Sequence, residues 1–310
     1  MKKLIFFLIF SLVFVPTTAV AESLSLAINP LVREVDIEPG RSWTGSVKVF
    51  NSNSRDLKFN ISSMDFRGKG EGYAQFLQEV DPDYALTRWI NIIDEEAMIS
   101  AHGSREFVFT IEVPEEAAPG GMYAGIIASA EEPEKDDWAT LEVSPSVSSL
   151  LLVNVEGDYR EELNIIEFGP EDVFYDTKDI PFGLKVTNMG NVHVRPEGEV
   201  EIYDRGGDLV DSMQINPEEG YGNILPQTER NWSFIWETDG SILETGRYTA
   251  KLNLFYGRED RKTVSKTADF WVVPSIRQLV MIVIGLGLFL LILLRIGTVY
   301  LKHHLKKKKA

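Results

Sequence analysis

Cysteine is absent from all 310 residues, so no disulfide staples the chain and no thiol serves as nucleophile or metal ligand. Histidine is scarce: His102 and His193 lie in the body, His303 and His304 in a terminal tail. Neither body histidine has neighbours that form a zinc or triad signature, and the adjacent tail pair supplies too few fixed ligands for a metal. His102, before Gly103-Ser104, reads as a turn residue, and His193, between Val192 and Val194, as a strand residue. Also missing are a Gly-x-Ser-x-Gly elbow, a His-Glu-x-x-His pair, a Walker loop and an Asp-x-Asp-x-Asp-Gly calcium loop. Asp94-Glu95-Glu96, Glu131-Glu132, Asp136-Asp137 and Glu218-Glu219 are runs that 47 acidic residues produce without selection for catalysis. The sequence therefore assigns no catalytic, cofactor or metal residue, names no binding residue, and leads to the expectation that the chain is not an enzyme. Calcium at an interdomain joint, beside Glu156 and Asp158, is a cation site the sequence leaves open.

Acidic charge is missing from both ends, with no Asp or Glu before Glu22 or after Asp269. Nine of the 31 basic residues lie outside residues 22–274, leaving 22 against 47 acidic residues within, a net charge of about −25. Such a body repels nucleic acid and stays soluble. Met1-Lys2-Lys3, an apolar run from Leu4 to Val15 and the small-residue site Ala19-Val20-Ala21 predict a signal peptide over 1–21. A second apolar run predicts a transmembrane helix over 275–301, flanked by Trp271 and Tyr300, with Arg295 placed to snorkel. The basic tail, 302–310, ends in Lys306-Lys307-Lys308-Lys309; the positive-inside rule predicts a single-pass cell-membrane protein with this tail cytoplasmic and the body extracellular.

Between the two membrane signals the pattern has period two. Phe107, Phe109, Ile111 and Val113 alternate with Glu106, Val108, Thr110 and Glu112; Tyr248, Ala250, Leu252 and Leu254 repeat the pattern later. Pro39-Gly40, Gly68-Lys69-Gly70, Pro119-Gly120-Gly121, Gly190-Asn191 and Gly206-Gly207 mark turns. Only 81–86 and 94–98 hint at helix. A weak internal repeat pairs Val47-Lys48-Val49-Phe50-Asn51 with Leu184-Lys185-Val186-Thr187-Asn188, and Gly121-Met122-Tyr123 with Gly246-Arg247-Tyr248. The Asn residues read as turn formers, and the Gly-x-Tyr placement is like a tyrosine corner. The fold class is all-β: two tandem immunoglobulin-like β-sandwich domains, 22–155 and 156–274, followed by one transmembrane helix. Trp43, Trp89 and Trp138 sit in polar stretches and are the first tryptophans to test for partner contact.

The run from Glu38-Pro39-Gly40 to Val47-Lys48-Val49-Phe50-Asn51, then Pro119-Gly120-Gly121-Met122-Tyr123-Ala124-Gly125, resembles the peptidoglycan-binding domain of WxL-interacting proteins. Phe182 to Asn188 and Gly190-Asn191-Val192-His193-Val194-Arg195-Pro196-Glu197-Gly198 resemble that family's host-binding domain. The resemblance implies a membrane-anchored surface protein of Gram-positive bacteria that engages cell-wall peptidoglycan, WxL-domain surface proteins and host matrix. No Trp-x-Leu tripeptide occurs, which makes this chain the partner of a WxL protein. The functional expectation is an extracellular binding module whose exposed strand edges accept a partner strand. The alternative is a non-catalytic accessory or spacer subunit of a membrane complex assembled through its helix.

Overall fold

The computed structural model describes residues 25–70, 72–78, 85–131, 145–216, 222–238, 241–258 and 260–307. The signal peptide, Trp138, Asp136-Asp137, Glu218-Glu219 and all but the end of the 81–86 stretch lie outside the described residues.

Among the described residues, ten strands build the first sandwich: β1 (Leu26–Asn29), β2 (Val32–Ile37), β3 (Ser42–Asn51), β4 (Leu57–Lys69), β5 (Tyr73–Phe76), β6 (Ile90–Ile92), β7 (Glu96–Ile99), β8 (Ser104–Glu112), β9 (Gly120–Ala130) and β10 (Ser146–Val155). One sheet has the order β1-β3-β8-β6. The other runs β2-β10-β9-β4-β5, with β7 also on β4. The first strand is split at Pro30, so that β1 pairs antiparallel with β3 while β2 pairs parallel with β10 in the opposite sheet. The inward residues of the alternating pattern meet in one core, including Val47 and Val49 of β3, Phe107, Phe109 and Ile111 of β8, and Leu151, Val153 and Val155 of β10. Each such side chain contributes about 1.5–3 kcal/mol on burial.

One expectation changes here, and two tryptophans are placed. Residues 94–98 do not form a helix: β7 lies against β4, with Ala97 and Ile99 buried on the core side, so alternation outweighs the acidic run. Trp43 and Trp89 both pack against the first core. The Trp43 ring lies 5.8 Å from Phe109, with the Arg33 guanidinium 5.7 Å over it, so it closes one end of the sandwich.

The second sandwich repeats the plan with β11 (Leu163–Pro170), β12 (Phe174–Tyr175), β13 (Asp179–Asn188), β14 (Glu197–Tyr203), β15 (Leu209–Ile215), β16 (Glu229–Glu237), β17 (Gly246–Tyr256) and β18 (Lys262–Val272). Its sheets are β11-β13-β16 and β12-β18-β17-β14-β15, and its first strand splits in the same way, with β12 parallel to β18. Phe182, Trp236, Tyr248 and Phe270 form an aromatic centre, with Phe182 and Phe270 edge to face at 5.5 Å. The repeated Asn residues are buried ties. Asn51 Nδ2 donates to the carbonyls of Arg55, Ile99 and Ser100, and Asn188 Nδ2 to those of Val192 and Ile224 at 2.8 Å.

Helix α1 (Ile276–Lys307) follows β18 after three residues. Ser275 and Gln278 form a capping box: Ser275 N–H donates to Gln278 Oε1 at 2.9 Å, and Gln278 N–H to Ser275 Oγ at 3.4 Å. The apolar stretch Ile276–Thr298 has 23 residues, none buried against protein. At 1.5 Å per residue it spans about 35 Å, enough to cross a hydrocarbon layer of about 30 Å.

Candidate functional site

The outer face of the β2-β10-β9-β4-β5 sheet is apolar where the second sandwich meets it. Phe66, Tyr123 and Leu152 cluster with Leu225 from the β15–β16 connection. Beside this cluster lies a polar junction. His193 is 4% exposed; its Nδ1 is 3.3 Å from the Tyr123 hydroxyl and its Nε2 is 2.9 Å from Glu34 Oε1. Arg258, after β17, bonds both Glu34 and Asp36, its Nη1 standing 2.6 Å from Asp36 Oδ1. Asn154 Nδ2 donates to the same Asp36 oxygen at 2.9 Å. The hydrogen bond from His193, reinforced by the charges of His193 and Arg258, holds the Glu34 carboxyl down at about 2. Burial pushes the Tyr123 phenol up.

A tight backbone approach completes the junction. Gly121 N–H donates to Asn191 O at 2.7 Å. Gly120 has φ of +149°, and a Cβ there would stand 3.1 Å from Asn191 O; at Gly121 it would collide with the Tyr123 hydroxyl. Gly120-Gly121 thus lets β9 begin directly under the second sandwich. The resulting cleft, about 1070 Å³, is lined in part by Arg67, Arg88, Trp89, Arg160, Asn191 and Gln227.

The two Gly-x-Tyr placements diverge. Tyr248 makes the upstream backbone bond, donating to Glu244 O at 2.6 Å, as a tyrosine corner does. Tyr123 turns its hydroxyl to the second domain instead. His193 is not a strand residue; it lies between β13 and β14 and plugs the junction. Flanking valines gave no sign of this, because the partners Glu34 and Tyr123 are distant in sequence. Glu156 and Asp158 bring no metal cluster: among the described residues no group of three His, Asp or Glu is placed to hold an ion.

Sheet edges are the other candidate surface. β9 pairs with β10 over its whole length, from Ser146 opposite Ser129 to Val155 opposite Gly120. On the other side β2 covers only Leu150 to Val155. Leu150 N–H donates to Leu31 O at 2.8 Å, on the β2 side. Backbone groups alternate in direction along a strand, so the N–H and C=O of Ser146 and Ser148 point to the same side, where no described strand pairs with them. No charged residue stands in this four-residue stretch, Ser146-Val147-Ser148-Ser149.

Three other edges carry guards. β12 covers only Trp271 and Val272 of β18, but Lys266 points inward on that strand and donates to Ile166 O at 2.8 Å. An inward lysine is a device that blunts an edge. β2 carries Arg33, Glu34 and Asp36. On β16, Asn231 N–H donates to Gly70 O at 3.4 Å, so the β4–β5 turn occupies that strand's free side.

The molecule defined by these features is a two-domain immunoglobulin-like β-sandwich protein carrying a helix of membrane-spanning length. No family model matches the chain. No curated protein matches it either. Among solved structures it is similar to the class 5 fimbriae chaperone CfaA at 15% identity, covering 81% of this chain and 100% of that one, with a TM-score of 0.39. The E. coli chaperone DraB overlaps at 12% identity over 78% of this chain and 98% of its own, again with a TM-score of 0.39. The CsuC–CsuE chaperone–tip adhesion subunit complex of Acinetobacter baumannii gives 11% identity, 78% and 97% coverage and the same score. These overlaps are loose, and the sandwich fold stands on the strand ladders described above.

Proposed function

We propose that this chain is a non-catalytic, membrane-anchored binding module that captures an extended segment of a protein partner on the vacant half of β10. The lysine tail keeps its C-terminus in the cytoplasm and the acidic body outside. The observation that carries the reading is the half-filled ladder: two N–H and two C=O groups of Ser146 and Ser148 face a side that β2 fills only from Leu150 onward. An added strand there makes up to four backbone hydrogen bonds, each worth about 0.5–1.5 kcal/mol net. That sum alone reaches at best about millimolar to tens-of-micromolar affinity before the cost of ordering the segment. Side-chain burial must add to it, and the half-buried Val147, packed against the first core, supplies an apolar contact at the site. Within this reading, the WxL-domain proteins implied by the sequence resemblance are the first partners to try, with wall glycan as a second ligand class.

The test is a photo-crosslinking side chain at Val147 in the full-length protein on intact cells. A protein adduct is expected, and Ser148→Pro should abolish it by removing an edge N–H that β9 does not use. Thr267→Pro on the guarded β18 edge should leave the adduct intact. An adduct unaffected by Ser148→Pro contradicts strand capture at this site.

A further inference from the structure

The end of the second sandwich next to α1 carries large apolar side chains in the open. Val173 is 57% exposed, Phe174 63%, Trp271 43% and Leu243 91%. The strand register places Val173, Phe174 and Trp271 together, with Leu243 in the turn that leads into β17 at the same end. Phe174 is opposite Trp271 across the parallel β12–β18 pair, and Val173 accepts from Trp271 N–H at 2.8 Å. Val272 is opposite Gly246, and Leu243 lies three residues before that glycine. Trp271 itself is five residues from Ile276, where the membrane-spanning stretch begins. Five residues extend at most about 17 Å.

This end faces away from the first sandwich. β17 has 11 residues, a length of about 36 Å, and its far end leads to Arg258 at the interdomain junction. The second sandwich therefore stands between the junction and the helix. The short link and the Ser275–Gln278 capping box hold the apolar end close to the point where the helix enters lipid.

We infer that Val173, Phe174, Leu243 and Trp271 form a docking rim that inserts into the headgroup layer of the same bilayer α1 crosses, fixing the tilt of the ectodomain. The inference rests on the membrane-anchored reading of α1 and deepens it. A tryptophan at this height suits the interface, where one face of an amphipathic ring is apolar and its N–H stays wet. Glu171, Asp172, Asp176, Asp179, Glu237, Glu244 and Asp269 lie towards the same end, against Lys178, Arg247 and Arg277. Charge therefore opposes an anionic surface, and the contact is driven by apolar burial, worth about 25 cal/mol per Å².

The absence of cysteine makes site-directed spin labelling clean. The full-length chain, as Phe174→Cys, Leu243→Cys or Trp271→Cys, is reconstituted into zwitterionic vesicles at less than one copy per vesicle. Collisions of the nitroxide with oxygen and with a water-soluble nickel chelate are then compared. Ile93→Cys, 63% exposed in the first sandwich, is the aqueous reference, and Leu288→Cys in α1 is the lipid reference. Oxygen collisions should dominate at 174, 243 and 271, as at 288, and the preference should fall when anionic lipid is added. Nickel-dominated collisions at 174, 243 and 271 overturn the rim. If position 288 is then nickel-dominated too, the membrane-anchored reading falls with it. An oxygen preference seen only at many copies per vesicle means that the rim meets a second copy, which also overturns it.

Discussion

Asn188 is fully buried, with its side-chain amide bonded to the carbonyls of Val192 and Ile224 and its Oδ1 accepting from Gly190 N–H at 2.8 Å. Asn188→Ala strands three backbone groups in the interior and should cost about 3 kcal/mol, read as a lowered denaturant midpoint with an unchanged slope. The sequence announced this residue as a strand-ending turn former, and that local role is visible in the Gly190 bond. Its longer bond to Ile224 was not legible, because it depends on how the β15–β16 connection folds back. Glu34 is a second case. Its carboxyl is held near 2, below the ordinary value of 4.5, so between those values the unfolded chain binds more protons than the folded one. Its contribution is complete above about pH 4.5 and is lost as pH falls towards 2. Solvent screening of a side chain this exposed keeps that contribution to about 1 kcal/mol. Thermal melts of the wild type and Glu34→Gln should differ at pH 6 and converge near pH 2; a gap of constant size would remove Glu34 from the junction's energetics.

At the scale of strands, alternation and turn residues predicted most of what formed. Phe107, Phe109 and Ile111 of β8 face inward as their spacing requires. The stretch 94–98 misled because an acidic triplet resembles a helix start, while Ala97 and Ile99 obey the two-residue period of β7. Polar neighbours along the chain also hid how Trp43 and Trp89 pack: both lie partly buried against the first core. Edge vacancy is less legible still. Nothing in Ser146-Val147-Ser148-Ser149 shows that β2 begins only opposite Leu150, since that follows from the register of two strands far apart in sequence. Edge protection, by contrast, is a property of single residues. Lys266 guards β18, and Lys266→Thr should let that edge pair with another copy. Sedimentation of the purified chain should show concentration-dependent association for Lys266→Thr and none for the wild type. A monomeric Lys266→Thr protein would mean that the β18 edge is closed by something other than its lysine.

For the whole molecule, the order of parts gives each end a task. Helix α1 and its capping box stand at one end of the second sandwich, and the His193–Glu34–Arg258 junction carries the first sandwich at the other. In the membrane-anchored reading proposed above, the first sandwich holds the vacant half of β10 away from the bilayer. The long apolar helix and the all-β body were legible in hydropathy and period; the junction that joins the domains was not, since its members come from β2, β9 and two connections of the second sandwich. The account depends on the vacancy beside β10, and residue-resolved amide exchange of the full-length protein without partner tests it directly. Ser146 and Ser148 N–H groups should exchange quickly, while Val147, Ser149 and Leu150, bonded to β9 or to Leu31, exchange slowly. Slow exchange at Ser146 and Ser148 equal to that of their neighbours would show the edge already filled and would contradict strand capture.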